Sequence, residues 1–147
     1  MKNITVVGIN LVTGFLMIFF ASNIQAQELF VKVTEIRSSK GNIIFNVFKD
    51  QGAYDKELPY KKFSFDKSKI DKGTMIVKFN LEPGIYGITL LDDENSNGKI
   101  DKNFIHMPKE GFGFSNFFMT KMKKPSFEDF KVDLKAKPAV MMRVKYL

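Results

Sequence analysis

Residues 75–81, Met-Ile-Val-Lys-Phe-Asn-Leu, alternate without a break. Met75, Val77, Phe79 and Leu81 share one side of a two-residue period. Ile76, Lys78 and Asn80 share the other. Only an extended strand puts every second side chain on one face, so this segment is a strand with one face in a core. The same period recurs along the chain. Leu29, Val31 and Val33 alternate with Phe30, Lys32 and Thr34. Ile43, Phe45 and Val47 alternate with Ile44, Asn46 and Phe48, after a turn at Ser38-Ser39-Lys40-Gly41. Residues 62–66 read as a short strand. Phe130, Val132 and Leu134, then Val140, Met142, Val144 and Tyr146, complete the series. Glu82-Pro83-Gly84-Ile85 has the composition of a type II turn, with Pro83 presetting φ and Gly84 supplying the positive φ. Residues 75–81 and 85–91 are therefore expected to pair as a hairpin. No helical stripe of useful length accompanies these strands. About seven strands over one core predict an all-β fold, an antiparallel β-sandwich of immunoglobulin-like or transthyretin-like type.

The N-terminus is different in kind. Lys2 precedes an apolar run from Ile4 to Ala21, broken only by Thr5, Asn10 and Thr13, and Asn23-Ile24-Gln25-Ala26 follows. A basic start, an apolar stretch and a small residue at the cut predict a signal peptide over residues 1–26, leaving a single domain over 27–147. The run is also long enough to serve as a retained membrane anchor. Export places the domain in the periplasm or outside the cell, without stable membrane insertion once the signal is removed. The chain has no cysteine, which excludes a lipobox anchor, disulfides, thiolate metal sites and a cysteine nucleophile. A disulfide-free exported domain must be held by its core, and sixteen Phe with no Trp fit an aromatic one.

The net charge is +7, of which Lys2 contributes one. Lys121, Lys123 and Lys124 are the densest basic cluster. Such a cluster is compatible with an anionic surface or nucleic acid. A solvated lysine surface is the plainer reading, and export argues against nucleic acid.

Two long loops interrupt the strands, residues 49–61 and residues 92–128. The second opens with Asp92-Asp93-Glu94-Asn95-Ser96-Asn97-Gly98-Lys99-Ile100-Asp101. With Asp93 as position one of a calcium loop, Asn95 and Asn97 fall at three and five, Gly98 at the sharp turn, Lys99 at the carbonyl position and Asp101 at nine. A tightly curved backbone points alternate side chains at one centre, and a hard cation wants six to eight oxygens. Asp93, Asn95, Asn97, Lys99 (through its carbonyl) and Asp101 are the expected calcium ligands. Phe104 stands where an EF-hand has its bidentate Glu, and the incoming segment reads as a strand, so this is not an EF-hand. Missing ligands would come from Glu110 or Asp92. With few formal charges, affinity is expected near 10⁻⁴–10⁻³ M, roughly the range of weak extracellular modules. The competing reading is a plain turn, since Asn97-Gly98 favours a hairpin and Asp and Asn cap their own backbone.

The rest of the long loop carries Phe104, Phe112, Phe114, Phe117 and Phe118, which are expected to pack. An apolar patch for a protein or glycan partner is the alternative use. His106 is the sole histidine, with Ser115 as its conceivable partner, but Gly113-Phe114-Ser115-Asn116 lacks a nucleophile elbow. Gly111-Phe112-Gly113-Phe114 contains a G-x-G with no helix after it, so a phosphate loop fails its context. Its glycines are expected to let rings pack close to backbone. Asp93 with Glu110 is a carboxylate pair available for acid/base work.

Taken together, Pro83-Gly84-Ile85-Tyr86, the D-x-N-x-N-G-x-x-D loop from Asp93 to Asp101, Pro108 to Asn116 and Pro125 to Asp129 resemble the bacterial domain of unknown function 2141 family of exported proteins. The resemblance covers about residues 28–147. It implies a signal peptide before one small β domain, with no established activity. The commoner pattern has His before the first loop aspartate, where this chain has Asp92. The function expected is an exported, non-enzymatic binding or structural module whose calcium-held loop presents Pro108–Asn116. The alternatives are a hydrolase-type enzyme using the loop carboxylates or His106, and an ion-free protein-interaction domain.

Overall fold

The computed structural model describes residues 25–147. The signal-peptide expectation falls almost wholly outside them. Eight strands and two short helices follow in the order β1 (Gln27–Thr34), β2 (Asn42–Phe48), α1 (Gln51–Asp55), β3 (Lys61–Asp66), β4 (Met75–Leu81), β5 (Ile85–Asp93), β6 (Gly111–Phe114), α2 (Phe127–Phe130), β7 (Lys131–Asp133) and β8 (Ala139–Arg143). The chain is an all-β sandwich. One sheet has the order β4-β1-β8. The other has the order β3-β2-β5-β6, with β7 also on β5.

The expected hairpin between residues 75–81 and 85–91 does not form. β4 pairs with β1, from Gln27↔Leu81 to Val33↔Met75, while β5 pairs with β2. β4 buries alternate apolar residues and β5 is buried on both faces, so each needs a facing layer more than this neighbour. Glu82-Pro83-Gly84 therefore carries the chain from one sheet to the other. Gly84 lacks the positive φ of a type II turn. Its hydrogen instead lies against Tyr86, since a Cβ there would meet the ring at 3.1 Å. The Tyr86 hydroxyl donates back to the Glu82 carbonyl at 3.1 Å, a tie of the kind that holds this corner in immunoglobulin-like sandwiches.

The pairing is not uniformly antiparallel either. β8 runs parallel to β1, with Phe30↔Ala139 through Thr34↔Arg143. Residues 134–138 cross from β7 to the opposite sheet, so β8 enters beside β1 in the same direction. Beyond β8, the Lys145 N–H donates to the Phe112 carbonyl at 2.7 Å, and the Phe112 N–H donates back at 3.0 Å. The two sheets are thus stitched along one side.

Period two explains the main core. Leu29, Val31, Val33, Val77, Phe79, Val140 and Met142 face Ile43, Phe45, Val47, Ile88 and Leu90 between the sheets. The other face of the second sheet is buried as well. Phe48, Phe112 and Phe114 pack there with Tyr54 of α1, Met119 and Phe127 and Phe130 of α2. Each helix is fixed by side chains. Asp50 caps α1 by accepting from Ala53 N–H at 2.8 Å. Asp129 accepts from Ser126 N–H at 2.7 Å at the start of α2, and Gln51 accepts from Phe127 N–H at 2.7 Å, joining the two helices. α2 takes Phe130, expected in a strand, because Gly87 leaves room for it. A Cβ at Gly87 would lie 2.5 Å from the Phe130 ring.

Of the five loop phenylalanines expected to pack, Phe112 and Phe114 are buried, and Phe117 and Phe118 are half-buried. Phe104 is 93% exposed. It sits at the tip of a small turn in which Asn103 Oδ1 accepts from Ile105 and Met107 N–H, both at 3.0 Å. The turn closes on its own backbone, which leaves its apolar side chains outside the core.

Candidate functional site: the acidic loop and the cleft beside it

Asp92 and Asp93 end β5, and strand geometry sends neighbouring side chains to opposite faces. Asp93 turns toward the loop and closes it. Its Oδ1 accepts from Asn97 N–H at 3.0 Å and its Oδ2 from Gly98 N–H at 2.8 Å. Asn95 Oδ1 accepts from Asn97 N–H at 3.1 Å, and Asn97 Oδ1 from Lys99 N–H at 2.8 Å. These are Asx-type turns in series. The two side-chain amides converge on one carboxylate, Asn95 Nδ2 donating to Asp101 at 2.6 Å and Asn97 Nδ2 at 2.9 Å. Asp93, Asn95, Asn97 and Asp101 are thus tied into one hydrogen-bonded loop. Lys99 joins it through its backbone N–H, and its side chain is exposed. Left-handed backbone at Ser96 (φ 58) and Gly98 (φ 75) produces the curvature. Gly98 is the residue that the spacing assigns to the turn, whereas nothing in the spacing marks Ser96.

Glu110 binds both ends of the loop. Its Oε1 accepts from Glu94 N–H at 3.2 Å and its Oε2 from Asp101 N–H at 3.0 Å. Burial raises its pKa above the ordinary glutamate value. The nearby Asp101 and Asp93 carboxylates push the same way, against the two N–H donors. Among the described residues, no group of three or more His, Cys, Asp and Glu side chains is arranged to hold a metal ion. The donor set of the loop is two carboxylates, Asp93 and Asp101, and two amides. Each of their oxygens already accepts at least one hydrogen bond or faces a donor, with lone pairs to spare on the carboxylates.

Asp92 is not available to this loop. It faces the inner side of the sheet, 0% exposed, bonded to the Lys67 ammonium and to the Tyr146 hydroxyl. Most of the segment Pro108–Asn116 is not presented to solvent either, with Lys109 and Asn116 its exposed residues. Residues 110–115 are buried, because Gly111–Phe114 forms β6. The glycines of that strand alternate with its aromatics for a specific reason. Phe112 and Phe114 face the second core, while Gly113 faces the end of β8 and Gly111 the chain just after it. A Cβ at Gly111 would lie 2.4 Å from Val144 and Tyr146 side-chain atoms, and one at Gly113 would lie 2.7 Å from the Arg143 carbonyl oxygen.

Ser115 is fully buried. Its hydroxyl donates to the Phe130 carbonyl at 2.6 Å and accepts from Ile88 N–H at 3.0 Å. It joins β5, β6 and α2. His106 is exposed at the tip turn, with φ 60. Gly41 (φ 75) packs on the start of the loop, where a Cβ would lie 2.0 Å from the Asp93 carbonyl oxygen. Spacing alone marks Gly41 only as a turn residue.

A cleft of about 830 Å³ lies on the outer face of the second sheet. Phe48, Leu91, Phe112 and Phe114 are on its floor. Gly98, Lys99 and Ile100 form one wall, so the acidic loop borders it, and Met119 and Met122 line another side. Lys62, Lys102, Lys124 and His106 also line it, with Glu57 as the one acidic residue there among the described residues. Lys62 Nζ donates to the Gly98 carbonyl at 3.2 Å, which fixes the loop wall to β3. No helix among the described residues is long and apolar enough to cross a membrane.

No curated protein and no solved structure matches this chain. A family model described as "Uncharacterized protein conserved in bacteria (DUF2141)" matches residues 31–141, from the middle of β1 to the middle of β8. The match takes in both sheets, the acidic loop and the walls of the cleft, and the chain belongs to this family.

Proposed function

We propose that the protein is an exported, non-enzymatic binding domain in which a calcium-braced Asp93–Asp101 loop forms one wall of the ligand cleft. Export rests on the basic, apolar and small-residue pattern of residues 1–26. The observation that carries the binding reading is the shared wall, with Gly98, Lys99 and Ile100 belonging both to the acidic loop and to the cleft. Whatever stiffens the loop also shapes the cleft. The cleft falls within the size range of small-ligand sites, and its lining is apolar with a few polar groups. Its lysines outnumber its one acid, which favours a ligand with an apolar body and a negative charge. Calcium would be held by Asp93, Asn95, Asn97, the Lys99 carbonyl and Asp101, turning the Asn95 and Asn97 carbonyl oxygens toward the ion. An ion-free loop is the second reading, favoured by the backbone N–H groups that already engage Asp93, Asn95 and Asn97.

Titration of the full chain with the anionic apolar dye anilinonaphthalene sulfonate tests the cleft. One saturable site is expected, weakened several-fold by Lys99→Glu with Lys102→Glu and by added salt. Non-saturable binding, or binding indifferent to both changes, would contradict it.

A further inference from the structure

We propose that Lys67 and Asp92 are a site of spontaneous covalent modification, joined by an amide bond between Nζ and Cγ. Both side chains are 0% exposed. An ammonium carries three donors and needs acceptors or water for each. Among the described residues, Lys67 Nζ has one acceptor, Asp92 Oδ1. Asp92 Oδ2 accepts from the Tyr146 hydroxyl. An ion pair in this setting keeps two charges out of water and leaves two N–H bonds without acceptors, the costly form of a buried salt bridge. An amide removes both charges and reduces the nitrogen to a single N–H.

The groups needed for the condensation are in place. Nζ already sits against the carboxyl group it would attack. Tyr146 donates to the other oxygen, where charge develops when Nζ adds to Cγ. Burial raises the pKa of this phenol, and its hydrogen bond to Asp92 adds to the effect, so the hydroxyl keeps its proton. The Arg37 N–H donates to the Tyr146 oxygen at 3.0 Å, and the Arg37 guanidinium stacks 4.2 Å from the ring centroid, which fixes the phenol. The pair adjoins the main core: Asp92 stands opposite Ile43 where β2 pairs with β5, and Tyr146 packs against the core cluster. In the step, the Nζ–Cγ bond forms and the Cγ–Oδ1 bond breaks. Two of the three ammonium protons leave on Oδ1 as water, and the third stays on the amide nitrogen. Oδ2 becomes the amide oxygen and keeps its bond from Tyr146. No oxidant, reductant or cofactor takes part.

The bond would link residues 25 positions apart, from just after β3 to the end of β5, across β2. A chain without cysteine would thereby gain a cross-link that needs no oxidising partner.

Mass spectrometry of the purified full chain under denaturing conditions tests this directly. The wild type is expected to weigh one water molecule less than its sequence, and proteolysis is expected to yield a branched peptide joining Lys67 to Asp92. Lys67→Met and Asp92→Ala are expected to return to the sequence mass. A wild-type mass equal to the sequence mass overturns the proposal. So does a water deficit that survives in Lys67→Met, which would be an aspartyl succinimide. Because the mass is read on unfolded chains, poor folding of a variant leaves the wild-type result decisive.

Discussion

Glu110 does the work of a clasp with two oxygens. Each accepts one N–H, from Glu94 and from Asp101, at the two ends of the acidic loop. Glu110→Gln keeps one acceptor and turns an NH₂ toward the other N–H. It is expected to cost about 1–3 kcal/mol, the penalty of a buried donor left without a partner, measured by urea unfolding. The two glutamates at this loop also oppose each other in acid. Burial raises Glu110 above its usual 4.5, so its contribution to stability is complete below that value and lost as pH rises through the raised pKa. The hydrogen-bonded guanidinium of Arg37 lowers Glu94, so its contribution is complete above 4.5 and lost as pH falls through the lowered pKa. Arg37→Ala is therefore expected to flatten the fall in the urea midpoint below pH 4.5, and an unchanged acid limb would remove Arg37–Glu94 from the account. At this scale the sequence was informative about Asp93, Asn95, Asn97 and Asp101, because a curved loop reads out as regular spacing. It said nothing of Lys67. One lysine among many gives no sign that its ammonium is buried, and only the fold brings it to Asp92.

Among the elements, β6 shows how a strand can be buried on both faces. Phe112 and Phe114 fill the second core, while Gly111 and Gly113 let the end of β8 and the chain after it lie against the strand. Gly113→Ala would drive a methyl group into the Arg143 carbonyl, which is backbone and cannot rotate away. A loss of about 1–3 kcal/mol is expected from overpacking, with the Lys145–Phe112 hydrogen bonds losing protection in amide exchange. α2 is held mainly by Phe130, 1% exposed and packed against Tyr54 at 5.0 Å and Phe114 at 5.2 Å between ring centroids. Phe130→Ala is expected to cost about 3–5 kcal/mol by urea unfolding. Strand positions were legible because burial on one face leaves a period of two, and residues 75–81 emerge at the same bounds. Strand partners were not. The pattern in β4 and β5 is the same whether they lie side by side or face to face, so the expected hairpin became a crossover. The helices escaped notice because each is about one turn long and stabilised by distant groups such as Gln51 and Gly87.

Over the whole molecule, the second sheet is covered on both sides, by the first sheet and by a layer of two helices and loop. The alternation of β2 contains this arrangement in faint form, since Ile44 and Phe48 are apolar on the face that a two-layer sandwich would leave wet. The cleft lies where that outer layer parts from the sheet, with the acidic loop as its wall. The most direct test of this coupling is thermal unfolding of the full chain in EDTA and then in excess calcium, for the wild type and Asp93→Ala. With about 5 mM calcium and a Kd near 10⁻⁴ M, mass action adds roughly 2 kcal/mol, a rise of several degrees for a domain of this size. The account predicts that rise in the wild type and its loss in Asp93→Ala. A melting temperature indifferent to calcium in the wild type, or an equal rise in the variant, would contradict a calcium-braced wall.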